Sequence, residues 1–300
     1  MKAFVFPGQG SQSIGMGKVF YDQFTTAKDI ILKANDILGY ALSDLMFEGP
    51  IETLTQTNHA QVALLTVSYA MFCVLLEKEQ KPVHELCSFV AGHSLGEYSA
   101  LIAAKVITFE EGLKLVKFRG EAMHAAYPMG GGAMVAVLGS NIETIKSCLP
   151  KDQTCVIAND NGPGQVVLSG MKESITDVVQ KLTALNVKRC IPLSVSAPFH
   201  SPFMKSAEDQ LSVVLDDIHF NDAVVPIVSN VFAKAIVSGE QIKHYLKQQI
   251  CHAVRWRESV LFLKDQGVTE VLEIGPGSVL TGLNKRIAPE INAITFNAKE

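Results

Sequence analysis

Residues 87–104 read CSFVAGHSLGEYSALIAA: a short apolar run, a serine between glycines 92 and 96, then a run of helix formers. Gly92-His93-Ser94-Leu95-Gly96 matches G-x-S-x-G, a pattern with mechanical content where a strand turns sharply into a helix. Small residues two before and two after the serine let strand and helix pack, and the hydroxyl is left exposed at the helix N-terminus. Helix dipole and free backbone N–H groups favour developing negative charge there. The Leu95 N–H, following the serine, is one candidate oxyanion donor, and such donors contribute about 3–4 kcal/mol of transition-state stabilisation. A second donor must come from another loop. Without a base, the same residues are only a turn that caps a helix.

Around this turn, strand-length apolar runs alternate with amphipathic stretches, as in AFVF at 3–6 followed by a helical pattern to about Leu38. That alternation predicts an α/β fold with a largely parallel sheet. The breaker PMGGG at 128–132 changes the pattern. After it come strand AMVAVLG, a helix over 141–149, strand TCVIAN, turn DNGPG, strand QVVLSG, a helix over 172–186 and strand KRCIPLSV. This βαββαβ order is ferredoxin-like. The expected organisation is an α/β-hydrolase-like large unit from residues 1–127 and 197–300, with an inserted ferredoxin-like small unit over 128–196.

The formal net charge of −4 lacks the clustered cationic excess that nucleic acid binding wants, so no nucleic acid partner is expected. The apolar tract over 62–76 is shorter than the roughly 20 residues of a membrane span and predicts a buried helix, with no membrane association. MKAFVF is too short for a signal peptide's apolar region, and a cytoplasmic location is expected. The six cysteines are scattered, which reads as free thiols, and no histidine pair has ligand spacing, so no metal is expected.

A serine hydroxyl needs a base. His93 adjoins Ser94, but at a turn its side chain projects elsewhere, and the remaining histidines apart from His200 lie on helical or linker segments with polar neighbours. His200, in VSAPFHSPF, is bracketed by Pro198 and Pro202 in a rigid loop at the return from the small unit, where a cleft is expected. No acid stands out as its orienting partner, since Asp209 and Asp216 fall on a helix after it. The segment TFEEGLKLVKFRGEAMHAA opens with Thr108 and Glu111 as a capping box. On the helix so fixed, Arg119 is the only charge in an apolar stripe with Gly112, Leu115, Val116, Ala122 and Met123. A buried guanidinium wants a carboxylate, either an internal ion pair or a substrate carboxylate held by two parallel hydrogen bonds.

With PGQGSQ at 7–12, GHSLGEYSA at 92–100, FRG at 118–120, PFH at 198–200 and EIGPGSVLTGL at 273–283, the chain resembles the malonyl-CoA:acyl carrier protein transacylase family along its whole length. The resemblance implies a Ser94–His200 dyad, with Ser94 acylated by a malonyl thioester and Arg119 binding the free carboxylate. It implies the Gln9 amide as second oxyanion donor and the backbone carbonyl of Gln249, in QQICHAVRW, as the group that orients His200. The family usually has Asn-Pro where this chain has His252-Ala253. Phe199 resembles the malonyl-selective members. The implied partners are malonyl-CoA and an acyl carrier protein, whose phosphopantetheine thiol accepts the group; both are substrates, and no cofactor is implied. Lys285-Arg286 is a candidate contact for an acidic carrier. The rivals are a serine thioesterase or other hydrolase, a polyketide-pathway acyltransferase with the same chemistry, and a non-catalytic docking module.

Overall fold

A computed structural model of the protein describes residues 1–128, 130–195 and 197–298. Met129 of the glycine-rich breaker and Ser196 at the expected end of the small unit lie outside the described residues.

Strands, numbered in chain order, are β1 (Lys2–Phe6), β2 (Phe89–Gly92), β3 (Gly132–Leu138), β4 (Cys155–Gly162), β5 (Gln165–Met171), β6 (Arg189–Pro192), β7 (Ile227–Val228), β8 (Ala235–Ile236), β9 (Glu270–Glu273) and β10 (Asn292–Thr295). One sheet has the order β10-β9-β1-β2-β7-β8, parallel throughout except for the β7–β8 pair. β1 lies inside it, and Ala3 to Phe6 are buried. Continuous apolar runs suit parallel strands covered on both faces. Their two faces feed two cores: Phe4 and Phe6 pack into the larger, while Ala3 and Val5 join Trp256 and Val260 in the other.

The second sheet, in the order β4-β5-β3-β6, is antiparallel and carries the Ile142–Cys148 and Lys172–Ala184 helices between its strands. This is the split βαβ arrangement of a ferredoxin-like unit.

Three local features differ from the sequence reading. The apolar tract over 62–76 belongs to a longer helix, Thr57–Glu79, which is long and apolar enough to cross a membrane but has 78% of its most apolar stretch buried inside the protein. The expected turn over 160–164 shrinks to Pro163-Gly164 because β4 continues to Gly162. Bulges re-aim that strand, and it is held from outside its own sheet: Asp160 N donates to Val254 O at 2.9 Å, Val254 N donates to Ala158 O at 2.8 Å, and Arg257 pairs with Asp160 at 2.7 Å. The two-residue β8 was not anticipated, being too short for any periodicity to register.

Candidate active site

At the end of β2 the chain turns through Ser94, whose φ of 51° and ψ of −105° put a non-glycine residue in a costly backbone region, on the order of 1–3 kcal/mol. The Leu95–Ala103 helix starts at the next residue. The flanking glycines are required sterically. A Cβ on Gly92 would lie 1.9 Å from the carbonyl carbon of Gly96, and one on Gly96 would lie 2.0 Å from Phe6 O. Gly96→Ala is therefore expected to destabilise the fold by about 3 kcal/mol, read as a lowered urea midpoint; an unchanged midpoint would mean that the helix moves off β1 without cost. Gly8 plays the matching part in PGQGSQ: its Cβ would meet His93 O at 2.3 Å, so the loop bearing Gln9 lies flush on the serine turn.

Gln9, Ser94, Leu95, Arg119 and His200 all border one cavity of about 330 Å³, while Gln249 sits behind His200. As the first residue of its helix, Leu95 has an N–H with no carbonyl of that helix to bond. The Gln9 side chain donates to Thr57 Oγ1 at 3.3 Å, which anchors its loop to the long core helix.

His200 is buried in the proline-bracketed loop, and its Nε2 is 2.8 Å from Ser94 Oγ. Its Nδ1 faces two backbone carbonyls, Gln249 O at 3.0 Å and His252 O at 3.1 Å. Carbonyls only accept, so Nδ1 carries the proton and Nε2 is left as the acceptor for the Ser94 hydroxyl. Burial first, and then the charge of Arg119, push the imidazole down to about 3, which keeps the ring neutral. His93 points elsewhere: its Nε2 lies 2.7 Å from Asn161 Oδ1, and its ring tilts against Trp256.

The capping box forms, with Glu111 N donating to Thr108 Oγ1 at 3.2 Å and Thr108 N donating to Glu111 Oε2 at 2.8 Å. The helix it starts, Phe109–Ala125, buries Arg119 to 1% exposure. Among the described residues no carboxylate forms an ion pair with Arg119. Its Nη1 donates to Gln61 Oε1 at 2.6 Å, and its Nη2 donates to Gln249 Oε1 at 3.0 Å and to Ser94 Oγ at 3.1 Å. The guanidinium carbon lies 5.1 Å from the Tyr98 ring centroid, and the buried Nε–H has no acceptor among the described residues. A cation so placed is solvated by amides and an aromatic face, with hydrogen-bonding capacity left over.

Sequence reasoning passed over Gln61, Asn230, the Gln249 side chain and Glu97. Asn230 Oδ1 accepts from Ser94 N at 2.7 Å, and its Nδ2 donates to Gly92 O at 2.6 Å, so one amide ties the two sides of the turn. Asn230 and Gln61 carry no sequence signal, since single amides have neither spacing nor charge. Glu97 had one: it is a lone carboxylate within a helix in which every residue is buried.

A Ser–His pair at a strand-to-helix turn, with a buried guanidinium in the same cavity, defines an α/β enzyme of the acyl-transfer class. The chain belongs to the acyl transferase domain family, whose model matches residues 3–292. It is 43% identical over 302 residues to the malonyl CoA-acyl carrier protein transacylase of Bacillus subtilis, covering 99% of this chain and 94% of that protein. Identity to the Escherichia coli K12 protein of the same description is 42%, covering 98% and 95%. Among solved structures, the acyl-carrier-protein S-malonyltransferase of Bartonella henselae superposes with a TM-score of 0.96 at 41% identity, covering 99% of this chain and 96% of that one. A malonyl-transacylase in complex with its type II polyketide acyl-carrier protein superposes with a TM-score of 0.94 at 44% identity, with the same coverage.

Proposed function

We propose that this enzyme moves a malonyl group from malonyl-CoA to the phosphopantetheine thiol of an acyl carrier protein, supplying fatty-acid synthesis in the cytoplasm. The observation that carries the reading is the buried Arg119, which no carboxylate among the described residues pairs with directly, in the same cavity as the Ser94–His200 pair. Ser94 Oγ attacks the thioester carbonyl as its proton passes to His200 Nε2. The Gln9 and Leu95 amides receive the oxyanion. The C–S bond breaks, and the proton on Nε2 goes to the departing sulfur of coenzyme A. The carrier thiol then enters, gives its proton to Nε2 and attacks the Ser94 ester. Collapse transfers the malonyl group to sulfur and returns the proton to Ser94 Oγ.

Throughout, the Arg119 guanidinium holds the free carboxylate from the Nη2 side, which lies 3.1 Å from Ser94 Oγ. The Gln249 and His252 carbonyls keep the imidazole in the tautomer that accepts at Nε2. Coenzyme A is substrate and product, and the scheme uses no resident cofactor. The division into a 1–127 plus 197–300 unit and a 128–196 unit is part of this reading, with the cavity bordered by both: Met134 and Leu193 line it together with Ser94 and Arg119. For carrier docking the reading takes Lys285 and Arg286, where Arg286 Nη2 donates to Gln165 Oε1 at 2.8 Å at the foot of β5.

Intact-mass spectrometry after mixing with malonyl-CoA tests it. A malonyl adduct that is absent in Ser94→Ala, and that disappears on adding a phosphopantetheinylated carrier, is the expected result. Continuous release of coenzyme A with no adduct means hydrolysis instead. The similarity to a transacylase solved with a polyketide carrier favours a second acceptor class, and discharge to a polyketide carrier faster than to a fatty-acid carrier would move the enzyme to that pathway.

A further inference from the structure

The Ser94 peptide is held in its strained conformation from both sides. Its N–H donates to Asn230 Oδ1 at 2.7 Å, and its carbonyl accepts from Gln249 Nε2 at 2.9 Å. Both of these amide residues lead to one buried carboxylate. Gln249 Nε2 spends its other hydrogen on Glu97 Oε2 at 2.7 Å, and the Asn230 main-chain N–H donates to both Glu97 oxygens, at 3.3 and 3.4 Å. Glu97 is 4% exposed and Gln249 1%.

The hydrogen-bond inventory makes the carboxylate decisive. An amide carries two donor hydrogens on nitrogen and only acceptor capacity on oxygen. With both Nε2 hydrogens committed to Ser94 O and Glu97, Gln249 must turn Oε1 to Arg119 Nη2. Turned the other way, its oxygen would face a carboxylate and a carbonyl while its NH₂ met a guanidinium. The Gln249 main-chain carbonyl, one residue's length away, receives His200 Nδ1.

We infer that Glu97 is a positioning residue for acyl transfer: its carboxylate fixes the Gln249 amide and the Asn230 main chain, and through them the Ser94 peptide, the His200 ring and the Arg119 guanidinium. It touches neither substrate nor reacting atoms. Two donors, Gln249 Nε2 and Asn230 N, converge on it, and a carboxylate satisfies both. In Glu97→Gln, a glutamine with its oxygen in the Oε2 place still faces Gln249 Nε2, but its NH₂ then stands where Oε1 accepted from Asn230 N, donor against donor, and turned over it sets the NH₂ against Gln249 Nε2 instead.

The inference rests on the acyl-transfer reading of the site, and the test separates the two. Pre-steady-state acylation of Ser94 is followed with malonyl-CoA and, independently, with a fluorophosphonate, which labels an activated serine and has no carboxylate for Arg119. For E97Q the rate constants with both reagents are expected to fall about 30-fold, corresponding to one buried hydrogen bond lost with its partner left unpaired, with the reactive fraction of protein within about twofold of the parent. A merely structural role lowers the reactive fraction and leaves the rate constant of the folded molecules alone; that result, or unchanged rate constants, overturns the inference. Glu97→Asp is the second variant. It keeps both acceptor oxygens but falls one methylene short, so a smaller loss of rate constant in both reactions is expected, and no loss overturns the inference on its own. If the parent reacts with the fluorophosphonate but not with malonyl-CoA, the substrate assignment fails while the Glu97 comparison still stands.

Discussion

Replacing His200 with alanine is expected to slow acylation of Ser94 by malonyl-CoA by about a thousandfold or more, because the serine then meets the thioester with no acceptor for its proton. Single-turnover coenzyme A release measures this, and acylation at the parent rate would remove His200 as the base. The pH dependence of the parent enzyme gives an independent check with a definite sign. Burial disfavours the imidazolium, and Arg119 and His93 repel it, while the Gln249 and His252 carbonyls favour it less strongly; the sum holds the ring down to about 3. A lowered value means that the neutral, accepting form persists as the pH falls through 6.5, where a solvated histidine would protonate. The kcat/KM for malonyl-CoA should therefore stay on its plateau well below pH 6.5, and an acid limb centred there would show that the loop leaves His200 in contact with water. In the proposed scheme a malonyl carboxylate bound at Arg119 would offset its charge and so raise the basicity of His200.

What was legible in the sequence was whatever local geometry enforces. Gly92 and Gly96 around Ser94 admit no Cβ, Thr108 and Glu111 start a helix at a known residue, and that start fixes which face carries Arg119. The βαββαβ order likewise showed in short-range periodicity. What escaped was long-range polar pairing. Asn230 reaches Ser94 across 136 residues and Gln61 reaches Arg119 across 58, and a neutral amide gives no sign of its distant partner. The continuation of β4 through Asp160 to Gly162 was hidden for the same reason: DNGPG reads locally as a turn, and contacts with Val254 and Arg257 override it. Glu97 could have been found by the reasoning applied to Arg119, because EYSALIA places one charge in a run that buries completely.

Arg119→Ala is expected to invert acyl selectivity, lowering kcat/KM for malonyl-CoA by about a hundred- to a thousandfold while leaving or raising that for acetyl-CoA. The asymmetry follows from what surrounds the guanidinium. In the parent enzyme it is buried among Gln61, Gln249, Tyr98 and Ser94, and Glu97 reaches it only through the Gln249 amide, so an acetyl group leaves the desolvated guanidinium without a direct counter-ion, which a malonyl carboxylate would supply. Alanine removes the penalty for acetyl and the anchor for malonyl together. It also removes a charge that pushes His200 down, so the variant's base is stronger and its acid limb should move to higher pH. Parallel single-turnover measurements with the two thioesters decide the point. Equal losses would assign Arg119 to Ser94 Oγ, which it touches at 3.1 Å, and not to the substrate carboxylate. Arg119→Lys sharpens the comparison: it retains the charge as a point donor without the planar fork, so a malonyl rate restored fully by lysine would mean that charge alone, and not two-point alignment of the carboxylate, sets the selectivity.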